Sequence, residues 1–199
     1  MAQEMKEIEC KIMGMCLERF IEIAQEYRLT FVDQKVVMVE DTYWENADGK
    51  TIRHRKETYD VGKDEGLLGD QETTYMDLTI KGSEENDGEH ISEREEIILK
   101  MNCISELNIT TFLSRIGFKP AKILLKERNI FIDGDDNSPI RVHHDKFFLH
   151  EFGIGPFIEW VEIEGDTKGD LYEFLFKMGI NREDISNKTT LDIINEHQE

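Results

Sequence analysis

Charged residues recur two positions apart through much of this chain: Glu7, Glu9 and Lys11; Arg53 and Arg55; Arg94 and Glu96; Lys126 and Arg128; Glu162 and Glu164. Thr79 and Lys81 keep the same step, and Asp145 stands alone in a similar setting. Two is the side-chain period of a β-strand, so each set falls on one strand face. Carboxylates at that spacing offer hard oxygen ligands to a divalent cation, and Lys and Arg offer donors to phosphate oxygens. Met once, a charged strand face is a solvated outer surface. Met in strand after strand, it describes an interior: gathered around one lumen, the acidic and basic sets compensate each other, whereas either set alone is a costly like-charge cluster.

Such a lumen needs a closed sheet to line it, and the elements for one are present. The two-residue alternation of residues 5–13 predicts a strand, and Leu17, Phe20, Ile21 and Ala24 then fall at helical spacing. Extended stretches over 31–44 and 50–57 flank "NADGK", a hairpin turn with Asp48 and Gly49 at its tip. Further strands are expected at "TYMDLTIKG", "ISEREEIILK", "FKPAKILLKERNIFI", "PIRVHHDKFFL" and "PFIEWVEIEG", with a helix around Ile104 to Ile116. Residues 58–72 and "SEENDGEH" read as polar surface loops, and Leu171 to Met178 and Asp184 to Glu196 as closing helices. The expected fold class is α+β: an antiparallel, eight-stranded closed β-barrel with helices packed outside. At 199 residues, without a break in composition, it reads as a single domain over 1–199.

Composition narrows the function. Lys and Arg total 24 against 43 Asp and Glu, a formal charge of −19 that repels polyanions at long range and argues against non-specific nucleic-acid binding. A polyphosphate ligand would have to meet local cations and metal held by carboxylates. There is neither a signal-peptide pattern at the start nor a run of ~20 apolar residues, so no membrane partner and a cytoplasmic location are expected. Cys10, Cys16 and Cys103 form no C-x-x-C pair and read as packing residues in a reducing compartment. Trp44, Trp160 and the pair Phe147 and Phe148 read as packing rather than a base-stacking platform. No G-x-x-x-x-G-K-[ST] or H-E-x-x-H motif occurs.

The opening "EIECK" resembles the E-x-E-x-K signature of the CYTH superfamily, the triphosphate tunnel metalloenzymes named for class IV adenylyl cyclases and thiamine triphosphatases. "DTYW", "TIRHR", "LTIKG", "REE", "LLKERNIF", the Asp145 strand, "GPFIEWVEIEG" and "NKTTLDII" follow in that family's order, from Glu7 to about Ile194. The resemblance implies a tunnel of antiparallel strands, Mg²⁺ or Mn²⁺ as cofactor, and a triphosphate gripped by cations. By position it implies Glu7, Glu9, Glu96, Asp145, Glu162 and Glu164 as metal ligands. Lys11, Arg53, Arg55, Lys81, Arg94, Lys126, Arg128 and Lys188 would bind substrate, with Glu9, Lys11, Arg55 and Lys81 in catalytic roles.

The chain departs from the family pattern in places. Ile98 stands where a further carboxylate follows Arg94 and Glu96, and Lys188, Thr189 and Thr190 replace a basic residue with Ser and Tyr. His143 and His144 stand where an apolar residue is more usual, and read as structural or exposed. In the last strand Glu162 and Glu164 share a face, and Glu159 has the opposite parity. The implied activity is metal-dependent hydrolysis of a triphosphate, either inorganic tripolyphosphate or a nucleoside or organic triphosphate. The alternatives are adenylyl cyclase chemistry and a non-catalytic triphosphate or polyphosphate binder, acting as monomer or homodimer.

Overall fold

Strands with charge on one face and aliphatic side chains on the other can bury both faces if the charged side closes on itself and the apolar side is covered by helices. The computed structural model has that arrangement. It describes residues 2–26, 31–59, 73–81, 91–100, 106–133, 139–148 and 156–197. Cys103 and most of the two expected surface loops lie outside the described residues.

Strands β1 (Ala2–Met13), β2 (Phe31–Glu45), β3 (Thr51–Tyr59), β4 (Thr73–Lys81), β5 (Ser92–Lys100), β6 (Lys119–Asp133), β7 (Arg141–Phe148) and β8 (Pro156–Glu164) are joined in the order β5-β4-β3-β2-β6-β7-β8-β1. All neighbours are antiparallel, and β1 pairs back with β5 from Ala2 opposite Leu99 to Glu9 opposite Ser92. The result is a closed eight-stranded barrel. The turn between β2 and β3 follows its sequence: Asn46 Oδ1 accepts from the backbone of Asp48 and Lys50, and Gly49 takes φ of 75°.

The apolar core lies outside the barrel wall. Ile8, Cys10 and Ile12 of β1 and Val161 and Ile163 of β8 pack with Phe20 and Ala24 of helix α1 (Leu17–Glu26) and with Leu171, Phe174 and Leu175 of helix α3 (Lys168–Lys177). Each such aliphatic side chain contributes ~1.5–3 kcal/mol on burial. Helix α2 (Glu106–Arg115) covers Trp44, Ile52 and Leu78 with Ile109 and Leu113. Gly165 ends β8 where a Cβ would come within 3.1 Å of Leu171, so glycine lets α3 lie close against the strand.

The stretch from Asp184 to Glu196 corrects the expected single helix. Ile185–Ser186 forms a two-residue strand, β9, and only Thr190–Glu196 is helical, α4. The reason is an open edge: the pairing of β1 with β5 stops at Glu9, and β9 supplies partners for Lys11 and Ile12. Thr189 then starts α4 through a capping box with Asp192. α4 places Ile193 and Ile194 in an apolar cluster with Tyr43, Leu124, Phe147 and Trp160, in which Phe147 stacks on Trp160 at 4.2 Å. Tyr43, Leu124, Phe147 and Trp160 share the strand parity of the charged lumen residues, so this cluster closes one end of the barrel interior. No helix among the described residues is long and apolar enough to cross a membrane.

Candidate functional site

Pairing register decides which charged residues meet. Glu9 lies opposite Glu164, and Lys11 opposite Glu162, across β1 and β8. Arg53 lies opposite Thr79, Lys81 opposite Glu96, and Arg128 opposite Asp145. Antiparallel partners share a face. Glu7, Glu9, Lys11, Arg53, Arg55, Lys81, Arg94, Glu96, Lys126, Arg128, Asp145, Glu162 and Glu164 therefore line one lumen, several of them as buried as the apolar core. Glu159 has the other parity and meets His144 on the outer face at 3.2 Å.

The lumen is a network of ion pairs with two characters. On one side, Arg94 donates to Glu7 at 2.6 Å and to Glu9 at 2.5 Å, and Lys11 reaches Glu9 at 2.5 Å. Lys81 bridges Glu7 at 3.1 Å and Glu96 at 2.8 Å. On the other, Asp41 takes both arms of a fork from Arg55 at 2.7 and 2.8 Å. Asp145 accepts two bonds from Arg128 and one from Lys126, all at 2.7 Å, and Arg128 also reaches Glu162 at 2.9 Å. Arg53 bonds Thr79 at 3.1 Å through Nη2, while its buried Nε has no partner among the described residues.

Titration follows from this geometry. Burial disfavours the charged form of Asp145, but Arg128 and Lys126 outweigh it and bring the carboxyl down to about 2. Asp41 goes lower still: burial opposes, and Arg55 overcomes it. Lys11 is pushed up because Glu9 and Glu162 outweigh its burial. Lys126 moves the other way, to about 8, through burial and the neighbouring Arg128 and Arg55. Burial is the larger cause and the two guanidinium groups beside Lys126 add to it; cations gathered at one place in this way can meet the oxygens of an anion.

Among the described residues, two groups of side chains have the donors to hold a cation. Glu7, Glu9 and Glu164 bring carboxylate oxygens within 4.8 Å of one another, and so do the donor atoms of His143, Glu162 and Glu164. The first is an all-oxygen set suited to Mg²⁺ or Mn²⁺. Asp145 and Glu96, also implied as metal ligands by the resemblance, accept from Lys126 and Arg128, and from Lys81, as Glu7 and Glu9 accept from Arg94. Lys188 is not brought to the lumen: half exposed, it pairs with Glu196 at 2.7 Å.

Sequence reasoning missed several lumen-face residues, Asp41 and His143 among them. Asp41 stands in "DTYW" two positions before Tyr43, and His143 stands two before Asp145. Their parity was the available signal, since both share a face with residues already assigned to the interior. Beside Arg53, Lys81 and Arg94 a cavity of about 600 Å³ opens, lined also by Tyr43, Thr51, Ile80, Thr189 and Leu191.

No protein-family profile matches this chain, and no curated protein matches it in sequence. Solved structures do. The PH1819 protein of Pyrococcus horikoshii OT3 superposes with a TM-score of 0.68 at 18% identity, over 96% of this chain and 98% of the other. A protein of Vibrio parahaemolyticus described as an adenylate cyclase candidate gives 0.60 at 15% identity, over 97% and 99%. HpAC1 from Hippeastrum, an adenylyl cyclase candidate described as having a dominant triphosphatase activity, gives 0.57 at 14% identity, over 98% and 96%. At such identities the likeness speaks to architecture alone: this chain, a closed eight-stranded barrel, shares the fold of these solved structures.

Proposed function

We propose that the chain is a divalent-metal-dependent phosphohydrolase that binds a triphosphate in the barrel lumen and cleaves it to orthophosphate and a diphosphate. The observation that carries this reading is the two-sided lumen: the carboxylates of Glu7, Glu9 and Glu164 converge on one side, and Arg53, Arg55, Lys126 and Arg128 crowd the other. Phosphoryl transfer needs positioning and charge neutralisation more than covalent help, and such a lumen offers both.

Mg²⁺ or Mn²⁺ would be held by Glu7, Glu9 and Glu164, with Glu162 beside them. When bound, it supplies charge neutralisation on phosphate oxygens and a lowered pKa for an attacking water. Arg53, Arg55, Lys126 and Arg128 bind the phosphate oxygens and stabilise charge that develops on them. Lys11, Lys81 and Arg94, each paired with a carboxylate of the acidic side, position Glu7 and Glu9 and offer further donors to the substrate. Asp145 and Asp41 orient the two guanidinium forks. The apolar cluster under α4 keeps bulk water from one end of the lumen.

A second reading is adenylyl cyclase, in which the 3′-hydroxyl of ATP attacks the α-phosphorus and pyrophosphate leaves. The cavity beside Arg53, with Tyr43, Ile80 and Leu191 in its lining, favours an organic group attached to the triphosphate. Incubation with Mg²⁺ or Mn²⁺ and tripolyphosphate, ATP or thiamine triphosphate distinguishes the readings by product. Orthophosphate is expected; cyclic AMP with pyrophosphate would establish the cyclase, and tight binding without turnover a binder.

A further inference from the structure

The buried imidazole of His143 has no role in the phosphate grip described above, and its surroundings are unusual. The residue is 8% exposed, and among the described residues its Nδ1 makes ion-pair contacts but no well-aligned hydrogen bond. That nitrogen faces two carboxylates, with oxygens of Glu164 at 3.3 Å and Glu162 at 3.6 Å. Buried ring nitrogens are ordinarily satisfied. Here Nδ1, Glu162 and Glu164 all present donor atoms within 4.8 Å of one another. The strands hold them there: His143 is directly opposite Glu162 across β7 and β8, and Glu164 is two residues further on the same face.

We propose that His143, Glu162 and Glu164 form a second cation site in the lumen, distinct in chemistry from the all-oxygen set of Glu7, Glu9 and Glu164. A nitrogen donor shifts preference away from Mg²⁺ and Ca²⁺ toward Mn²⁺, Co²⁺ and Zn²⁺. Glu164 belongs to both groups, so one carboxylate links the two positions. The competing occupant is a proton, which would make His143 a plain counter-ion to its two carboxylates. This inference rests on the metal-dependent reading above but concerns only which atoms hold the ion.

Pulsed EPR of the full chain loaded with Mn²⁺ tests it without reference to turnover. The parent is expected to show ¹⁴N coupling from a directly bound imidazole. His143→Gln should lose that coupling and weaken one class of Mn²⁺ sites at least about tenfold, a loss no smaller than second-shell changes produce. His143→Asp, which restores an oxygen ligand, should recover Mn²⁺ binding without ¹⁴N coupling and narrow the preference for Mn²⁺ over Mg²⁺. Mn²⁺ bound by oxygen alone in the parent, with affinity unchanged in both variants, overturns the His143 site and leaves the triphosphatase reading standing. Failure of the parent to bind Mn²⁺ at all, with or without tripolyphosphate, overturns both.

Discussion

Replacing Asp145 with Asn separates a carboxylate that holds cations from one that holds metal. Asp145 is fully buried and accepts three bonds at 2.7 Å, two from Arg128 and one from Lys126. Its carboxyl is held at about 2 against an ordinary 3.8, a preference for the charged form on the order of 2 kcal/mol. Removing one partner from a buried charged network costs ~3–5 kcal/mol. The lower end applies here, because Lys126, already at about 8, can shed its proton near neutrality, while Arg128 cannot but keeps Glu162 at 2.9 Å. At ~2–4 °C per kcal/mol for a chain of this size, Asp145→Asn should lower Tm by ~6–12 °C.

The sign with pH follows from the lowered pKa. The Asp145 contribution is complete above ~4 and is lost as pH falls toward ~2, so the variant should show a weaker acid-induced loss over that window. Differential scanning calorimetry with and without tripolyphosphate is the assay, alongside Mn²⁺ titration. Triphosphate replaces the missing anion, so the Tm gap should shrink on its addition, while Mn²⁺ affinity stays within about threefold of the parent. Loss of Mn²⁺ binding with little change in Tm would show that Asp145 is a metal ligand and that this reading of the lumen is wrong.

Other outcomes follow from the same lumen. Turnover should vanish in excess EDTA and return with Mg²⁺ or Mn²⁺, and full activity in chelator would remove the metal from the mechanism. Glu9→Gln should abolish turnover while circular dichroism shows the fold retained, with Tm lowered because Lys11 and Arg94 each lose a partner at 2.5 Å; a normal rate refutes the role. Arg53→Ala and Lys81→Ala should each raise KM and lower kcat ~10–1,000-fold in all, with wild-type triphosphate affinity in calorimetry as the contrary result. Glu162→Gln and Glu164→Gln should weaken Mn²⁺ binding, whereas Glu159→Gln, on the outer face, should not; the reverse pattern would require a different register for β8.

Much of this architecture is written in strand parity. The alternation of Glu7, Glu9 and Lys11 with Ile8, Cys10 and Ile12 determines by itself that one face of β1 is charged and the other packs, and "WVEIEG" does the same for β8. Recurrence of that pattern, with the motif order, was sufficient for the barrel, most of the lumen residues and the placing of Glu159 outside it. What only the tertiary structure decided is which charge meets which, because ion pairing depends on register and on closure between strands far apart in sequence. Arg128 and Asp145 meet through β6 and β7, and Lys81 reaches Glu7 across 74 residues. Lys188 fell outside the lumen because the open edge of β1 drew Ile185 and Ser186 into a strand, and α4 could begin only after it. His143 came into question in the same way: no local feature sets it apart from His144, and only the pairing of β7 with β8 turns one imidazole toward two carboxylates and the other toward Glu159 on the outer face.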